Sequence, residues 1–203
     1  MKKAISFLCL FLVFCGLYFI VGCFAEKAQL RENIVRLHVV ANSDSAPDQA
    51  QKLRVRDTVT QYLQPVLAEA ASADEAKQII AEYLPQLKYI AEQQLLAEGS
   101  DYKVQVGLQE ESFDIRHYDT FSLPSGVYSS LRIEIGEGAG KNWWCVVFPS
   151  FCVPAAGERF DDVAADAGFS DSLTDSLSNG NKVVFRFYVL DLLGNLENFF
   201  YSR

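Results

Sequence analysis

The first constraint on this chain is an unbroken apolar run from Ala4 to Gly22, interrupted only by Ser6 and preceded by Met1, Lys2 and Lys3. A charged start followed by such a run is the pattern of an export or membrane-anchoring segment. At about 19 residues it exceeds the usual apolar core of a cleaved signal and approaches the roughly 20 residues that span a bilayer. Lys2 and Lys3 resist translocation, so the remainder of the chain is expected on the far side of the membrane. Three fates stay open at its end. Ile20-Val21-Gly22-Cys23 has the form of a lipidation site at Cys23, Cys23-Phe24-Ala25 offers small residues at signal-peptidase spacing, and an uncleaved anchor needs neither.

Without residues 1–25 about 180 remain, the size of one ordinary domain. The whole chain carries 18 Lys and Arg against 26 Asp and Glu, a net charge of −8. A surface of that sign is repelled by phosphate backbones, which argues against nucleic acid as a partner. Cys9 and Cys15 fall in the apolar run and Cys23 at its end, leaving Cys145 and Cys152 for the exported part. A straight strand would hold those two about 23 Å apart, beyond disulfide reach. A disulfide therefore needs the turn that Pro149-Ser150 can make; two buried free thiols are the alternative.

Ile34 to Ala41 alternates, with Val35, Leu37, Val39 and Ala41 on one face and Ile34, Arg36, His38 and Val40 on the other, and reads as a strand. Asn42-Ser43-Asp44-Ser45 ends it. Ser45 with Asp48 has capping-box spacing and Pro47 suits a first helical turn. Val55, Val59, Tyr62, Leu63, Val66 and Leu67 then recur at helical spacing, with Pro65 expected to kink or end the helix. A second start at Ser72 and Glu75 leads through Ile79, Ile80, Tyr83 and Leu84 to an interruption at Pro85, and the pattern resumes until Gly99.

Period two returns at Val104, Val106 and Leu108 and again at Leu131, Ile133 and Ile135. Gly136 to Asn142 then reads as a hairpin turn into Trp143–Phe148. A phosphate loop is excluded there, because its first glycine would fall at Ile135 and Asn142 follows Lys141 where Ser or Thr is needed. The expected fold is α+β: a mainly antiparallel sheet with two or three helices packed on one face, after the N-terminal apolar helix. Its expected divisions are a targeting segment at 1–25, a core at 30–154, an acidic flexible loop at 155–181, and a strand leading into an amphipathic helix at 182–203.

Catalytic patterns are thin. His38, Asp44, Asp48 and Asp57 could be imagined around a metal, but no zinc or calcium spacing is present, and helix capping already accounts for Asp44 and Asp48. His38 and His117 lack a nucleophile motif. Trp143 and Trp144 point to opposite faces of a strand, one into a core and the other toward a contact surface.

The run His38-Val39-Val40-Ala41-Asn42-Ser43-Asp44-Ser45 with Asp48-Gln49, Lys52 and Val55-Arg56-Asp57 resembles the stage II sporulation protein R family. So does Gly136-Glu137-Gly138 with Gly140, leading into Asn142-Trp143-Trp144-Cys145-Val146-Val147-Phe148-Pro149 and Cys152. The resemblance implies a non-enzymatic signal of endospore formers, made in the forespore and exported to the space between two membranes. There it would activate a membrane-embedded aspartic protease that processes the mother-cell sigma factor precursor. No cofactor and no metal are expected from the motifs, and membrane contact is expected through the N-terminal apolar segment. The residues expected to bind that partner or shape the contact surface are His38, Asn42, Ser43, Asp44, Asp48, Gln49, Lys52, Arg56, Asp57, Trp143 and Trp144. An exported metal-dependent hydrolase and an envelope structural domain are the competing readings.

Overall fold

The computed structural model describes residues 2–118, 120–149, 160–178 and 184–201. Along them run α1 (Lys2–Asn33), β1 (Val35–Val40), α2 (Ala46–Leu67), α3 (Ala73–Ala97), β2 (Val104–Phe113), β3 (Arg116–His117), β4 (Ser122–Leu123), β5 (Gly126–Ile135), β6 (Asn142–Phe148), α4 (Phe160–Asp166), α5 (Asp171–Leu177) and α6 (Val184–Tyr201). The main sheet has the order β2-β5-β1-β6, and β3 pairs with β4 in a small separate ribbon.

This corrects the expected architecture. The described residues contain six helices rather than two or three. The sheet is mixed rather than mainly antiparallel, because β1 runs parallel to β5, with Leu37 opposite Leu131, and antiparallel to β6. The glycine segment is not a hairpin either, since β1 lies between the two strands that it joins. The physical reason is that parallel neighbours need a long crossover, and here α2, α3 and β2 supply it. Alternating side chains reveal that a segment is a strand, not which strand will lie beside it.

Both sheet faces are covered. On one, Val35, Leu37, Val39, Leu131, Ile133 and Ile135 meet the stripes of α2 and α3, including Val55, Val59, Leu63, Ile80, Leu87 and Leu95. Ser45 caps α2 by accepting from the Asp48 amide at 3.2 Å, and Ser72 caps α3 by accepting from the Glu75 amide at 3.2 Å. Neither Pro65 nor Pro85 ends its helix. Pro85 is exposed, as is Ala81, whose carbonyl loses its helical partner; water can replace that bond while Ile80 and Leu87 stay in the core.

The opposite face meets Cys23 and Leu30 of α1, Phe160 and Ala164 of α4, Leu173 and Leu177 of α5, and Phe187 and Leu190 of α6. The segment expected as a flexible loop over 155–181 thus holds two short helices, pinned by apolar side chains that local spacing does not reveal. Likewise the C-terminal region is helical from Val184 instead of opening with a strand. Gly194 lets α6 approach β5, since a Cβ there would stand 1.5 Å from the Ser125 carbonyl oxygen. α1 is long and apolar enough to cross a membrane, and its side chains from Ile5 to Tyr18 are exposed.

Candidate functional site

Where β1 turns into α2, the chain changes direction within Asn42–Ser45, and Asp48 organises the corner. Its carboxylate accepts from Asn42 Nδ2 at 2.8 Å and from the Ser43 hydroxyl. Those hydrogen bonds, Ser43 first and Asn42 second, outweigh burial and lower its pKa below the ordinary value. Gln49 Nε2 donates to the Ser43 carbonyl at 2.8 Å, and Lys52 Nζ donates to Gln49 Oε1 at 2.7 Å.

The glycine segment folds over this corner as an arch. The Ala139 amide donates to the Asn42 carbonyl at 3.1 Å and the Gly140 amide to the Ala41 carbonyl at 2.9 Å. Asn42 Oδ1 accepts from the Glu137 amide at 3.0 Å, while Asp44 accepts from the Lys141 amide at 2.7 Å. Lys52 closes the arch by donating to the Lys141 carbonyl at 3.0 Å. A Cβ on Gly140 would lie 2.2 Å from the Ser43 carbonyl oxygen, so no larger residue fits without moving backbone. The two sequence motifs, some 90 residues apart, therefore form one object.

Beside the arch, Trp143 is 36% exposed and carries the Arg56 guanidinium 4.2 Å from its ring centroid. Arg56 also pairs with Asp57 at 2.6 Å. This outward patch differs from the corner, where Asn42, Ser43, Asp48, Gln49 and Lys52 spend their polar groups on one another and on the backbone.

His38 and Trp144 do not join either group. They lie on the other sheet face, stacked with ring centroids 5.6 Å apart. Sequence reasoning missed most of what surrounds them. Glu111 accepts from Arg132 Nη1 at 2.8 Å and faces His38 Nδ1 at 3.1 Å. Burial works against its charge, yet hydrogen bonds from His38 and Arg132 bring its pKa down to about 2. Arg36 is fully buried, 3.9 Å from the Phe113 centroid, and donates to the Tyr118 hydroxyl at 3.1 Å. Arg116 packs over Trp144 at 3.7 Å. The available signal was Arg36 itself, a charge on an otherwise core-like strand.

Among the described residues no group of three or more His, Cys, Asp and Glu side chains could share a metal ion. Cys145 is buried in the first core, and Cys152, the partner in the disulfide alternative, lies outside the described residues. Cys23 is buried in the second core.

The sequence profile of the stage II sporulation protein R family matches residues 31–157, which include the corner, the arch and both tryptophans. The chain belongs to this family. It is 36% identical over 135 residues to stage II sporulation protein R of Bacillus subtilis (strain 168), a match covering 63% of this chain and 60% of that relative. No solved structure matches the chain.

Proposed function

We propose that the chain is an exported signal which activates a membrane-bound aspartic protease of sporulation by binding it, without catalysing a reaction itself. The observation that carries this reading is the family match across residues 31–157, whose two motifs the fold joins into one corner and arch. The apolar helix α1 supports export from the forespore into the space between the two membranes. A protein ligand shifts its partner only by differential affinity for the active state. The Trp143, Arg56 and Asp57 patch suits such contact, since an aromatic ring and a guanidinium are common anchors of interfaces. Asn42, Ser43, Asp48, Gln49 and Lys52 hold the frame beneath it.

Reconstituting the protease and its sigma factor precursor with the full chain is expected to yield cleavage in proportion to the chain added, with the chain itself unchanged. No cleavage at any chain concentration would overturn the proposal. The hydrolase reading draws no support from His38 and Asp44, which serve different contacts: His38 faces Glu111, and Asp44 accepts from the Lys141 backbone.

A further inference from the structure

The last three turns of α1 behave as part of the domain. Cys23 and Leu30 are fully buried in the second core, with Phe19 packed against it. Glu26, only 7% exposed, pairs with Arg186 at 2.9 Å and accepts from the Ser172 hydroxyl. Lys27 pairs with Glu197, and Gln29 Nε2 donates to the Gly168 carbonyl at 2.8 Å. α1 continues to Asn33, one residue before β1, with no linker. Cleavage after Ala25 would strip Phe19 and Cys23 from this core and leave a new ammonium group on Glu26, beside Arg186. Lipidation would require Cys23 to leave its buried position and become the chain terminus.

The direction of the fold can be traced from the same contacts. α6 runs alongside α1 in the same sense, with Arg186 near Phe19 and Glu26 and Glu197 near Lys27 and Arg31. β5 follows α6, since Ser125 bonds Asp191 and the Val127 amide reaches Glu197. β1 is parallel to β5, and both end at the corner and arch. The helix from Gly22 to Asn33 rises about 16 Å over its eleven steps, and β1 with the two residues that follow it, Val35 to Asn42, adds about 23 Å. Arg186 sits at the end of the apolar run, where an arginine can reach headgroups.

Resting on the signalling reading above, we propose that α1 is retained as an uncleaved anchor and that it holds the corner and arch at the membrane-distal pole, about 40 Å from the bilayer. The partner surface then points at an apposed membrane and does not diffuse. The chain reaches a protease only where two membranes lie close together.

The test uses the full chain, expressed in a bacterium with both signal peptidases and purified from its membranes. Its intact mass is expected to include residues 2–25, without a diacylglyceryl group. A mature chain beginning at Glu26, or a lipidated one beginning at Cys23, would overturn the proposal. In vesicles bearing a headgroup energy acceptor, a dye on Lys141→Cys is expected to transfer several-fold less than one on Tyr188→Cys; equal transfer would overturn the distal placement. Both substitutions are at exposed positions, and neither readout involves the protease, so the anchor proposal and the activation proposal can fail separately.

Discussion

The two faces of the main sheet solve different problems with alternate residues of one strand. From β1, Val35, Leu37 and Val39 enter a core against α2 and α3 whose members are apolar throughout. Arg36 and His38, one residue out of phase, enter the opposite layer among Phe113, Tyr128, Trp144 and the Glu111–Arg132 pair. The first face gains stability from area removed from water. The second buries charge, and Arg36 bears the cost: burial pushes its pKa down from the ordinary guanidinium value, and its Nε and Nη1 find no hydrogen-bond acceptor among the described residues. Removing a buried ion in favour of an apolar side chain of similar volume is often neutral or stabilising. The contrast thus teaches that burial alone does not mark the residues on which the fold depends.

The largest expected effect tests that contrast within β1. Leu37→Ala should cost about 2–5 kcal/mol in denaturant unfolding, whereas Arg36→Met should change stability by less than about 1.5 kcal/mol in either direction. Equal losses would break the distinction and assign Arg36 a strong stabilising partner. The next effect concerns Glu111. Its folded pKa of about 2 lies below the unfolded value of 4.5, so its contribution is fully present above about pH 4.5 and is lost as pH falls toward 2. Glu111→Gln should flatten the stability profile in that window, which thermal unfolding across pH would reveal; an unchanged slope would mean that other carboxylates dominate. The smallest stability effect belongs to Trp143→Ala, less than about 1 kcal/mol because the ring is partly exposed and packs on Arg56. The same variant should lower protease activation at least tenfold in the reconstituted reaction, and normal activation would remove Trp143 from the contact surface.

Much of this protein was legible locally. The run from Ala4 to Gly22 announced an apolar helix, alternation marked β1, β2 and β5, and Ser45 and Ser72 marked the starts of α2 and α3. These features depend on neighbours within a few residues, and such interactions are written directly into sequence spacing. The corner motif was also legible as a set of polar residues, but not as a frame closed by the arch, because its bonds join Asn42 to Glu137 and Lys52 to Lys141.

Tertiary structure decided the rest. It inserted β1 between β5 and β6, carried α3 through Pro85, ordered α4 and α5 within an acidic stretch, and drew Cys23 and Leu30 of the N-terminal apolar helix into a core. It also buried Arg36 and His38, the polar members of the mixed face of β1. The physical reason is common to all of these: a sequence determines which faces are apolar and which turns are allowed, whereas the partner for each face is selected by competition among distant surfaces, settled only when the whole chain packs.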